Sequence, residues 1–164
     1  MGLGARIFAK NRMFLQDLQN LDPESLRAWC DTLSRGLKHQ TINRNGAPYL
    51  TRYFAAGWNP WNRAAAGAAV YLHHFAASDP PGAVHSHPWK WSASLILVGG
   101  YREFRCTGGQ AIARDFVPGD VNLLPPSATH RIELLGADCW TLFIVGPYLQ
   151  DWAFYPECNH GQLE

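Results

Sequence analysis

From Asn43-Arg44-Asn45-Gly46 onward the chain is a succession of short segments with strand character, each closed by glycine, proline, asparagine or aspartate. The segments read as strands are 48–54, 69–75, 91–98, 101–106, 111–116, 120–124, 130–135, 139–145 and 151–155. No second helical period runs through this stretch. Close spacing of short strands without intervening helices excludes an alternating βαβ architecture and predicts a mainly β sandwich or barrel. Gly99-Gly100 and Gly108-Gly109 read as hairpin turns. Neither a repeat of solenoid length nor a low-complexity segment is present.

Ahead of the strands lies a helical lead. In Asp22-Pro23-Glu24-Ser25, Asp22 suits the cap, Pro23 the first helical position and Glu24 the helix dipole. Leu26, Trp29, Cys30, Leu33 and Leu37 follow at helical spacing, and Gly36 marks the expected end. A shorter amphipathic turn carries Phe14, Leu15 and Leu18. The organisation expected is a helical lead over 1–45, a barrel over 46–156 and a tail over 157–164.

The 164 residues suit one domain, and 47% apolar against 16% charged residues excludes disorder. Fourteen Lys and Arg balance thirteen Asp and Glu, so no basic excess points to nucleic acid. The longest apolar run, 64–72, is far short of the roughly 20 residues of a membrane span, and MGLGARIFAKNRMF lacks the layout of a secretory signal. Cys30, Cys106, Cys139 and Cys158 lie far apart with no CxxC pair, so they read as buried free thiols of a cytoplasmic protein.

Chemistry concentrates in the histidines. In His85-Ser86-His87, strand alternation would point both imidazoles the same way, a pair able to chelate a divalent metal. Gly119, Pro125 and His130 form G-x5-P-x4-H. This resembles the second motif of the cupin superfamily, G-x5-P-x-G-x2-H-x3-N. His85, His87 and Gly99 match the first, G-x5-HxH-x3,4-E-x6-G. The resemblance covers about residues 68–146. Ser92 stands where the family has its Glu ligand, Ser127 replaces the inner Gly, Leu134 the final Asn, and Gly82 is offset. YLHHF, HSHPW, SLILVGGYREF and PSATHRIELL are also similar to uncharacterised cupin-like proteins often encoded in phages and prophages.

The resemblance implies a double-stranded β-helix, or jelly-roll barrel, with His85, His87 and His130 as metal ligands. Three neutral imidazoles leave positions on a divalent metal open for water, O₂ or a chelating substrate. Fe(II) is favoured, with Zn, Ni or Mn as alternatives.

Further candidates surround this set. His73, in the adjacent pair His73-His74, is a candidate fourth ligand or acid/base, or else a structural histidine. Glu103 is a candidate replacement for the missing carboxylate, or an ordinary hairpin glutamate. Tyr101 offers a hydroxyl to a bound ligand. Arg131 and Glu133 should face away from His130 and form a charge network. Trp89, Trp91 and Trp140 are candidates for a ligand wall or for packing; Trp58 and Trp61 suit a lid or the join between helices and barrel. The leading functional expectation is a small-molecule enzyme of dioxygenase type. The alternatives are a metal-dependent isomerase or hydrolase, a binding module with a structural metal or none, and a metal-free sugar isomerase or epimerase using His73 or His130 with Tyr101. Expected partners are a small-molecule ligand and a second copy in a homodimer, with no nucleic acid and no membrane.

Overall fold

A computed structural model describes residues 20–57, 67–107 and 109–158. The expected turn at Phe14, Leu15 and Leu18, and the loop tryptophans Trp58 and Trp61, lie outside the described residues. One helix, α1 (Pro23–Arg35), precedes nine strands: β1 (His39–Arg44), β2 (Ala47–Ala56), β3 (Ala69–Phe75), β4 (Ala83–His85), β5 (Ser92–Thr107), β6 (Gln110–Phe116), β7 (Val121–Leu124), β8 (Thr129–Val145) and β9 (Phe154–Pro156). The mainly β class expected from the strand spacing is the class observed.

The helix begins where the cap residues place it. Asp22 accepts hydrogen bonds from the Glu24 and Ser25 amides at 3.0 and 2.9 Å, satisfying donors that a helix start leaves open. Its apolar stripe lies on the outside of the sheet. Leu26 and Cys30 are buried with Leu72, Leu97, Val98, Trp140 and Leu142, and Trp29 and Leu33 pack against the same cluster. Arg27 fixes the orientation with two hydrogen bonds to Asp138, at 2.7 and 2.8 Å.

Two expectations about local structure change. First, the helix ends at Gly36 as expected, but the part of the lead that follows it, up to residue 45, is not helical. Residues 39–44 form β1, paired antiparallel with β2, because Asn45 (φ 52°) and Gly46 (φ 81°) supply the positive dihedrals of a tight hairpin. Second, Gly99-Gly100 is not a hairpin turn. It lies inside β5, which pairs with β8 along almost its whole length, with register shifts between Ile96 and Val98 and between Gly99 and Tyr101. Gly99 takes φ 73°, and a Cβ there would sit 2.1 Å from the Asp138 carbonyl oxygen. The glycine therefore kinks a continuous strand against its neighbour. For the same reason 130–135 and 139–145 are two halves of one strand, β8.

These two long bent strands build the barrel. β8 pairs with β3 through its second half and with β4 at His130. β5 adds β7 beside its first half and β6 beside its second. The sheet runs β1-β2-β3-β8-β4-β9, with β5 joined to β8, and β6 and β7 joined to β5. The inner face holds Ala69, Tyr71, Leu124, Phe143 and Val145 in one cluster, and Ile96, Tyr101, Phe116, Ile132 and Cys139 in another.

The cysteines divide. Cys30 and Cys139 are free and buried, as expected, and burial pushes both thiols up to about 12. Cys106 and Cys158 instead form a disulfide across a sequence separation of 52, with Cα atoms 5.6 Å apart. Reading them as free thiols is thus corrected. Their spacing carries no signal, because the end of β5 and the segment after β9 meet only through the fold.

Candidate metal centre

His85 ends β4 and is the cross-strand partner of His130 in β8, so the two motifs become neighbours through one register pair. His87 lies two residues beyond the end of β4. The three rings form a triangle, with centroids 5.1 Å apart for His85 and His87, 4.8 Å for His85 and His130, and 5.0 Å for His87 and His130. One nitrogen from each lies within 4.8 Å of the others. His87 Nε2 and His130 Nε2 are 2.8 Å apart. Two nitrogens bound at right angles to one ion at about 2.1 Å are about 3 Å apart, so this pair fits chelation.

The spacing G-x5-P-x4-H becomes concrete. Gly119 (φ 94°) makes the turn into β7. The Ala128 amide then donates to the Pro125 carbonyl at 3.0 Å, turning the chain into β8.

Glu103 is neither a hairpin surface residue nor one of the three clustered nitrogen donors. It is buried at 3% exposure, and its carboxylate lies 2.5 Å from His130 Nδ1. That bond places the proton on Nδ1 and leaves Nε2 facing His87, the arrangement by which a carboxylate orients a metal-binding imidazole. Asn122 donates to the same carboxylate at 2.9 Å, and an Arg105 Nη2 lies 2.9 Å from its second oxygen. Burial acts to raise Glu103, but the hydrogen bonds of His130 and Asn122 and the charge of Arg105 outweigh it and hold the carboxyl at about 2.

Asp79 stands near His85, with Oδ2 3.9 Å from Nδ1. It is itself fixed by the Tyr49 hydroxyl at 2.6 Å and the Ile132 amide at 2.9 Å. Burial, then the neighbouring His130, lowers His85 to about 4. Burial and the two other histidines drive His87 well below the ordinary range. Both are therefore neutral near pH 7, the state in which imidazole binds metal.

His73 is buried on β3, at 3% exposure. Its Nε2 accepts a 3.0 Å hydrogen bond from Arg52 Nε, and it does not belong to the three-histidine group. Tyr101 is buried in the barrel interior, where its hydroxyl accepts from Asn122 at 3.1 Å; burial pushes it well above the ordinary tyrosine range. Ser92 is buried at 2% exposure, and its Oγ has no hydrogen-bond partner. Arg131 and Glu133 form the expected charge network, with Glu157 as a further partner at 2.8 Å from Arg131 Nε.

The aromatic wall is Trp89, Phe143 and Tyr71. Trp89 stacks on His87 with centroids 5.9 Å apart, and Phe143 lies 5.7 Å from His87 and 5.5 Å from Trp89. Trp140 instead packs outside the barrel against Tyr53 and His74. Trp91 is 44% exposed. Arg52, Asp79 and Asn122 escape sequence reasoning altogether. Only strand register, with Arg52 opposite His73 and Asn122 opposite Ser94, brings two of them to the inner face.

No protein-family model matches the chain, and no curated protein matches it in sequence. Solved structures do match in shape. An Fe(II) form of HppE with an alternative substrate has a TM-score of 0.54 at 9% identity, over 68% of this chain and 57% of that one. A mutant of Bacillus subtilis oxalate decarboxylase has a TM-score of 0.50 at 21% identity, over 70% of this chain and 29% of that one. An uncharacterised protein with a double-stranded β-helix domain from Klebsiella pneumoniae has a TM-score of 0.50 at 17% identity, over 70% and 89%. The chain thus spans little more than half of HppE and under a third of the decarboxylase. Its fold is a double-stranded β-helix, and its three histidines gather at one place inside that fold. Among the described residues no helix is long and apolar enough to cross a membrane.

Proposed function

We propose that this chain is a metal-dependent cupin in which His85, His87 and His130 hold one divalent ion, Fe(II) by preference, for a dioxygenase-type oxidation of a small molecule. The observation that carries the reading is the convergence of three imidazoles, one of them clamped through Nδ1 by a buried ionised carboxylate. A bound ion would supply redox or Lewis-acid chemistry to a ligand in its open positions. The chain's own residues do the rest. Glu103 fixes His130, Asp79 stands beside His85, and Trp89, Phe143 and Tyr71 exclude water from one side.

The test uses protein purified without a histidine tag, loaded anaerobically with Fe(II), and followed by O₂ uptake across a panel of small thiols, diols and organic acids. The expected result is one iron per chain and substrate-dependent O₂ consumption, both lost in His87→Ala. Iron binding without O₂ consumption for any substrate would replace the oxidative reading by a binding module. Failure to bind any divalent ion would overturn the metal reading itself.

A further inference from the structure

Arg52 is the one inner-face cation near the histidines for which the fold provides no carboxylate among the described residues. Every other described arginine that reaches inward or crosses the sheet has one: Arg44 with Asp79, Arg105 with Glu103, Arg131 with Glu157. Arg52 spends Nε on His73 Nε2, at 3.0 Å. Its guanidinium lies 5.1 Å from the Tyr71 ring centroid and 5.9 Å from that of Trp89. Burial lowers its proton affinity, opposed by Tyr71 and Tyr49 but by no carboxylate. Trp89 in turn stacks on His87, and His73 stacks on Phe143 at 4.8 Å, which also touches His87. Two routes, each through aromatic rings, therefore join Arg52 to His87.

We infer that Arg52 is a substrate-anchoring residue that pairs with the carboxylate of a small organic acid whose other end reaches the three histidines. With Nε engaged, the four remaining N–H donors sit on Nη1 and Nη2, and the end of that fork matches the two oxygens of a planar carboxylate. A single positive charge suits a monoanionic carboxylate better than a phosphate dianion. The flanking rings of Tyr71 and Trp89 hold the guanidinium by cation–π contact and keep the pair away from water, where it gains strength. The half-buried, uncompensated charge costs stability in the free protein, and a bound carboxylate removes that cost.

This assignment names the substrate class of the site proposed above and rests on that reading for the ligand's metal-facing end. The test is calorimetric titration with glycolate, 3-hydroxypropionate and 4-hydroxybutyrate against their neutral amides, on Zn(II)-loaded and metal-free protein. At least one acid should bind tenfold or more tighter than its amide. Arg52→Gln should abolish that preference while zinc stoichiometry stays unchanged. Arg52→Lys, which keeps the charge and loses the fork, should retain only part of it. Equal binding of acids and amides by the wild type, or a preference surviving in folded Arg52→Gln, overturns the assignment. If the protein takes up no zinc but the metal-free form keeps an Arg52-dependent acid preference, the anchor stands and the metal reading falls.

Discussion

Glu103 and His130 show how much one hydrogen bond decides. Without the carboxylate at Nδ1, His130 is free to rotate or change tautomer, and its Nε2 no longer faces His87 by default. Removing such a partner typically costs 10–100-fold in metal affinity. Glu103→Ala should weaken zinc binding by about that factor, and Glu103→Gln, which still accepts a hydrogen bond, by less, as read by competition with a chelator. Equal affinity in all three proteins would show that the clamp is unimportant. The two other histidines of the triangle set a pH dependence. His85 falls to about 4 and His87 also lies below its ordinary value, whereas an unfolded chain titrates near about 6.5. As pH falls the unfolded state takes up protons first, so stability is full above that value and is lost progressively toward pH 4. Urea midpoints of metal-free protein should drop between pH 7 and 4.5, and saturating zinc at pH 7 should raise the midpoint. A flat profile would mean that these rings are not buried as neutral groups.

At the scale of elements, β5 and β8 matter most, because their bends carry the two halves of the barrel. Gly99 allows the bend in β5: its φ is 73° and the Asp138 carbonyl occupies the space a side chain would need. The carboxylate of Asp138 meanwhile holds Arg27 of α1 and His74 of β3, so a shift of that backbone would disturb the docked helix as well. Gly99→Ala should therefore cost about 3–5 kcal/mol. Gly109→Ala is the contrast, with φ 82° but open space around the new Cβ, and should cost about 1 kcal/mol. Similar melting midpoints for the two variants would contradict the close-approach argument. Sequence reasoning foresaw the helix start and both histidine motifs, since a cap, a stripe and a ligand spacing are local patterns. It missed β1 and the continuity of the long strands. A glycine pair reads alike whether it turns a hairpin or kinks one strand, and only the partner strand decides.

Across the whole molecule, residues that meet through topology were the illegible ones. Arg52 reaches His73, Tyr49 reaches Asp79, and Cys106 reaches Cys158 through pairings between segments far apart in sequence. The disulfide closes the second half of the chain by tying the end of β5 to the residue stretch behind β9. A loop of this length contributes about 2–4 kcal/mol by restricting the unfolded chain. Cys158→Ser should lower stability by about that amount. Reductant should lower the wild type to the same level and leave the variant unmoved. An insensitive wild type would show that the bridge is not formed in solution.

The central claim is that His85, His87 and His130 together hold one divalent ion. X-ray absorption at the zinc edge of protein loaded with one equivalent measures this directly. The account predicts three imidazole nitrogens at about 2.0–2.2 Å with oxygen donors completing the sphere, and one imidazole fewer, or no bound zinc, in His87→Ala. A site with sulfur ligation, with fewer than three imidazoles, or unchanged by His87→Ala would contradict it.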